Sequence, residues 1–226
     1  MNRPDLPLSS TVLQPDAGAR CLVLLHGYGE PSADLTDRLP LIDPDGRYVV
    51  VVPTAPIERR GRRIWFRPAG DPDAASQYRE SLMALDALLG AIGEQMAIAP
   101  DDIVVGGFSQ GGGMATGLLL GAAVTHRPAA GFGVCSFPPV DPGFEIDHAA
   151  AAGRPYFLSS ALQDHFAPIE ISRWGAQVLR DAGLDLTYVE ADAPHVMTDL
   201  AASQIGAWLA ADPRRIEGGD FVVSVG

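Results

Sequence analysis

A glycine-bracketed serine, Gly107-Phe108-Ser109-Gln110-Gly111, stands between two segments of different periodicity. Before it, Ile103-Val104-Val105-Gly106 is short and apolar, as a buried strand requires. After it, Gly112 to Leu120 reads as a helix. A chain that passes from strand to helix this abruptly crowds its own backbone, so the positions flanking the serine must lack a β-carbon. Such a turn holds the hydroxyl exposed at the carboxyl edge of a sheet. It also sets the Gln110 N–H at a helix N-terminus, where it can stabilise a developing oxyanion. With Gly at 25 of 226 residues, chance alone places Gly-x-Ser-x-Gly in roughly one such sequence in seven. The pentapeptide therefore counts only with a strand before it, a helix after it and a glycine loop upstream.

That upstream loop is Leu22-Val23-Leu24-Leu25-His26-Gly27-Tyr28-Gly29. Four apolar residues make a buried strand, and the turn past its end offers a second oxyanion N–H, expected from Tyr28. His26 could be taken for a base, but its place between a strand and a glycine suits a role in tying the loop.

A serine hydroxyl is a poor nucleophile until an imidazole takes its proton and a carboxylate orients that imidazole. His195 follows a strand at Leu184–Glu190 and precedes a helix from Met197 to Ala211, so it can reach over the sheet edge. His126 and His148 sit in polar connections, and His165 adjoins the best acid. That acid is Asp164, in the loop between a strand at Arg154–Ser160 and a helix from about Ile169 to Ala182. Asp192 and Asp199 are nearer His195 in sequence, which works against their reaching the far side of the ring; Asp192 remains the alternative. The order Ser, Asp, His is that of α/β-hydrolases.

His26-Gly27-Tyr28-Gly29, Pro53-Thr54-Ala55-Pro56, Trp65-Phe66, Gly107 to Gly112, Asp164 and His195 occur in the order found in one family. The sequence resembles the phospholipase/carboxylesterase family of α/β-hydrolases, which includes acyl-protein thioesterases and small bacterial esterases. The resemblance runs from about Leu22 to Leu209. It implies a single-domain α/β-hydrolase fold without a large cap, and hydrolysis of carboxylic esters through an acyl-enzyme. Ser109, Asp164 and His195 would be catalytic, with Tyr28 and Gln110 forming the oxyanion hole. Trp65 and Phe66 would lie near the pocket. Apart from the resemblance, two segments read as able to cover the cleft: Ile57 to Asp73, and Phe137 to Gly153, whose Phe137-Pro138-Pro139-Val140 supplies rigid apolar contacts. Thioester hydrolysis and acyl transfer are variants of the same chemistry; a non-catalytic hydrolase-fold binding protein is the reading of another class. The chain departs from the family pattern at Tyr28, at His165-Phe166 and at Arg67, all positions that bear on specificity.

Length and composition agree with one domain. At 226 residues and 47% hydrophobic, alternating strand and helix patterns predict a mainly parallel sheet with helices on both faces. Tyr48–Pro53 is the clearest buried strand. The helix from Ala74 to Met96 carries Leu82, Leu85, Leu88, Leu89 and Ile92 on one face. The expected division is an N-terminal extension or edge strand at 1–20, the hydrolase domain at 21–211 and a C-terminal tail at 212–226. No segment reads as a signal core or a bilayer span, so a cytoplasmic place is the default. Cys21 and Cys135, both read within strands, suggest neither disulfide nor metal cluster, and no cofactor is implied. A net charge of −12 opposes nucleic-acid binding and adhesion to anionic membranes. The expected partner is a small ester or thioester, with the protein a monomer or homodimer. All 16 basic residues are arginine, which excludes a phosphate-binding lysine at Gly107–Gly113 and Schiff-base chemistry. Arg59, Arg60, Arg62, Arg63 and Arg67 cluster around Trp65-Phe66, either as a solvated loop or as a recognition element for an anionic substrate.

Overall fold

The computed structural model describes residues 5–14, 18–30, 33–139, 143–212 and 222–225. Val140 of the Phe137–Val140 segment, Met1 to Pro4 and most of the expected C-terminal tail lie outside them. The alternating pattern builds one eight-stranded sheet. Its strands are β1 (Ser10–Leu13), β2 (Cys21–Leu25), β3 (Val49–Pro53), β6 (Ile103–Phe108), β7 (Ala130–Val134), β8 (Pro155–Ala161), β9 (Asp185–Ala191) and β10 (Val222–Val225). A separate hairpin is made by β4 (Ile57–Arg59) and β5 (Arg62–Ile64). The sheet order is β1-β3-β2-β6-β7-β8-β9-β10, and only β1 runs antiparallel to its neighbour.

From β2 the chain goes outward to β3 and later returns to β6 on the other side, so the winding reverses between β2 and β6. Open parallel sheets bind ligands at such a reversal, beyond the carboxyl ends of the strands. Here those two ends carry His26-Gly27 and Ser109, with Leu25 paired to Gly107.

Strand periodicity divides the core into two faces. Leu22 and Leu24 of β2 join Val50, Val104, Phe132 and Phe157 on one face. That face is covered by α1 (Ala33–Thr36), α2 (Leu39–Ile42) and α7 (Asp199–Ala210). Cys21, Val23 and Leu25 point the other way. There α3 (Ala74–Met96) and α4 (Gln110–Leu120) cover them, with α5 (His148–Ala151) and α6 (Ile169–Asp181) farther along the sheet. The five apolar residues expected on one face of α3 are all buried in this layer.

Two local readings change. Cys135 is not in a strand: it is the residue after β7, with φ 50°. The arginine-rich segment expected as a loop contains the β4–β5 hairpin, which strand propensity could not announce in a run of arginines.

Candidate active site

The elbow is built as its glycines demand. A β-carbon on Gly107 would meet the Leu25 carbonyl and the backbone of Gly111, and one on Gly111 would strike the carbonyl of Leu25. Ser109 itself sits at φ 52° and ψ −117°, a region that costs a residue with a β-carbon about 1–3 kcal/mol. Its N–H donates to Val134 O at 2.9 Å, tying the elbow to β7. Behind it, the fully buried Tyr156 hydroxyl meets Thr116 Oγ1 at 2.7 Å and donates to Gly112 O at 3.3 Å.

Ser109, His195 and Asp164, expected together from three distant segments, do converge. His195 Nε2 lies 3.0 Å from Ser109 Oγ, and Nδ1 lies 2.6 Å from Asp164 Oδ2. The other carboxylate oxygen, Oδ1, accepts the N–H groups of Phe166 and Ala167, each at 2.8 Å. Those two bonds fix the carboxylate plane. An ionised carboxylate only accepts, so Nδ1 must carry the proton and Nε2 is left as the acceptor facing the serine. The Asp164 and His195 loops are stitched together by Leu162 N–H to Ala191 O at 2.9 Å and Gln163 N–H to Ala193 O at 3.0 Å. Phe108 and Phe166 flank the imidazole, with ring centroids 4.9 and 5.1 Å away. Phe166 is 82% exposed, so its ring covers the histidine from the solvent side. Asp192 is occupied elsewhere, accepting from Gln163 Nε2 at 2.7 Å.

Tyr28 occupies the turn after β2, between Gly27 and Gly29. His26 braces that turn. Its Nε2 accepts the Ala55 N–H at 3.1 Å, so Nδ1 is the protonated nitrogen and donates to Gly27 O at 2.8 Å. Burial lowers its pKa, partly opposed by the bond to Gly27. Trp65, expected near the pocket, has no exposed surface and therefore none to offer a substrate. Its indole N–H instead donates to His26 O at 2.8 Å, and its ring lies 5.3 Å from the imidazole. Phe66 packs edge-on against Tyr78, and Phe137 lies against Gly175 of α6. The Gln110 side chain, for which sequence suggested only the backbone N–H, accepts from Trp65 N at 3.2 Å and donates to Phe66 O at 2.7 Å. It thereby fastens the Trp65-Phe66 segment to the start of α4.

A cleft of about 240 Å³ opens beside His195, with Leu35, Phe108, Val196 and Met197 as its apolar wall and Glu30 and Arg38 as charged members. Neither Phe66 nor Phe137 lines it. Leu35 and Met197 belong to the apolar face of the fold, and their spacing in sequence gives no sign that they also wall a cleft. Cys135, expected only as a strand residue, also lies beside Asp164 and His195. Its Sγ donates to Val196 O at 3.8 Å, and burial, reinforced by the Asp164 charge, pushes its pKa up to about 12. Its sulfur, a carboxylate oxygen of Asp164 and a nitrogen of His195 lie within 4.8 Å of one another. A cation held by all three would have to compete with the Asp164–His195 hydrogen bond.

The phospholipase/carboxylesterase family model matches residues 9–203. The chain belongs to that family. Among solved structures, the family fold is shared with a Bacillus cereus carboxylesterase, at 18% identity and TM-score 0.79 over 90% of this chain and 94% of that one. A Mesorhizobium loti carboxylesterase matches at 19% and 0.78 over 92% and 97%. Zea mays acyl-protein thioesterase 2 matches at 19% and 0.67 over 90% and 98%. At these identities the likeness speaks for the fold. No curated protein matches in sequence.

Proposed function

We propose that this family member is a serine hydrolase that cleaves carboxylic esters or thioesters of short to medium acyl chains through an acyl-enzyme. The observation that carries the proposal is the unbroken line from Ser109 Oγ through His195 to Asp164, 3.0 and 2.6 Å long. As Ser109 Oγ attacks the carbonyl carbon, its proton passes to Nε2, and the Asp164 carboxylate stabilises the imidazolium that results. The N–H groups of Gln110 and Tyr28 receive the negative charge on the carbonyl oxygen. Collapse of the tetrahedral species expels the alcohol or thiol, which takes the proton from Nε2. Water then repeats the sequence on the acyl-enzyme, releasing the acid and restoring Ser109.

A fluorophosphonate probe should add one adduct to the intact protein and none to Ser109→Ala; labelling of another serine would overturn the assignment. The three residues act as a unit, so removing them is not additive. Activity lost in His195→Ala should about equal that lost in Ser109→Ala, with little further loss in the double variant. Asp164→Asn should lose about 10³- to 10⁴-fold, and near-normal turnover in that variant would send the search for the acid elsewhere.

A further inference from the structure

The β4–β5 hairpin carries two energetic costs that its own fold does not explain. Its register pairs Glu58 with Arg63, and the side chains meet at 3.4 Å, as a cross-strand pair should. The next rung pairs Arg59 with Arg62. Like charges directly opposite each other destabilise a two-stranded ribbon. The turn that closes this rung, Arg60-Gly61, has both φ angles positive, at 51° and 75°. Tight hairpin turns of this kind favour asparagine or glycine at the first position, and arginine there is strained. Three arginines are thus concentrated at the tip, two facing each other and one in a left-handed conformation.

The tip is seated on the loop proposed to hold the oxyanion. Gly29 N–H donates to Arg63 O at 2.9 Å, and Arg59 donates to the Tyr28 hydroxyl at 3.2 Å. The Arg62 methylenes lie so close to Gly29, whose φ is 64°, that a β-carbon there would strike them. The two remaining arginines of the segment are matched by acids: Arg63 by Glu58, and Arg67 by Asp71 and Asp73. Arg60 and Arg62 are exposed. On a chain of net charge −12, a substrate with an extra negative group would be attracted by these arginines.

We infer that Arg59, Arg60 and Arg62 form a cationic rim that selects esters or thioesters carrying a second anionic group, carboxylate or phosphate. Guanidinium groups pair with both in forked geometry, and a bound anion would relieve the Arg59–Arg62 repulsion. The inference rests on the proposed hydrolase function.

The experiment compares the protein with an Arg60→Asn/Arg62→Gln variant. One arm sets mono-p-nitrophenyl succinate, charged on the acyl side, against p-nitrophenyl butyrate. The other sets butyryl coenzyme A, charged on the leaving group, against the neutral N-acetylcysteamine thioester. In at least one arm the protein should prefer the anionic member, with kcat/KM reduced about five- to tenfold in the variant, mainly through KM. About 0.5 M NaCl should erase the same preference. The arm that responds identifies which side of the scissile bond carries the anion. Calorimetry of butyryl coenzyme A and succinate binding in a Ser109→Ala background reads the rim without turnover. Equal rates for neutral and charged members in both arms, or a preference that survives in the variant, would overturn the inference. If the neutral esters were not cleaved, the hydrolase reading would fail instead, and the binding measurement would still decide the rim.

Discussion

At the scale of single residues, the site keeps its geometry by placing side chains where isolated chains would not put them. Ser109 is the clearest case, since φ 52° and ψ −117° suit glycine. Relieving about 1–3 kcal/mol of strain, less about 0.5–1 kcal/mol for a more flexible unfolded chain, should leave Ser109→Gly about 1 kcal/mol more stable. For a domain of this size that corresponds to a thermal midpoint about 2–4 °C higher, with probe labelling abolished; a lower midpoint would show that the elbow is not strained. His26 makes a different prediction. Its folded pKa is lowered by burial, so below about 6.5 the unfolded chain binds a proton that the native ring, already accepting from Ala55, resists. Stability contributed by this group is complete above that pH. It falls as the pH drops from there toward the folded value, by about 1.4 kcal/mol per pH unit. Urea midpoints measured from pH 7.5 to 5 should decline less steeply in His26→Asn. Equal slopes would mean that His26 is not the responsible group.

At the scale of elements, what was legible and what was not follows from the kind of signal each carries. The apolar runs of β2, β3 and β6 and the leucine face of α3 are visible in sequence because burial imposes a period on them. The elbow was legible because sterics leave glycine no substitute at 107 and 111. Trp65 shows the limit: an aromatic near a site can serve it from beneath, and sequence does not say which side of a loop faces the core. Its indole, the His26 carbonyl and the Gln110 amide form one scaffold under two loops. Nothing in the spacing of residues 26, 65 and 110 announces that contact, because it is made by tertiary folding alone. The β4–β5 hairpin was missed for a related reason. Four arginines in seven residues suppress every strand signal, and only the register reveals that two of them face each other.

At the scale of the whole molecule, the cleft lies beside His195 at the edge of the sheet and is walled by residues of the core layer. Among the described residues no helix is long and apolar enough to cross a membrane. The volume of the cleft is about 240 Å³, and the short to medium acyl chains proposed above are tested by varying chain length. Hydrolysis rates measured against acyl length, below and above micelle formation, should fall with long chains and pass the micellar threshold smoothly. A sharp rise there would contradict this account of the cleft. The hairpin also has a consequence for how such a protein can diversify. It leaves the body at Pro56, whose carbonyl accepts from Arg63 at 3.3 Å, and re-enters it at the buried Ile64-Trp65. Between those two anchors its tip contributes nothing to either core layer. Its charge can therefore be rewritten while the elbow, the imidazole and the sheet stay as they are, and under the proposed rim substrate choice would be a trait inherited separately from the chemistry.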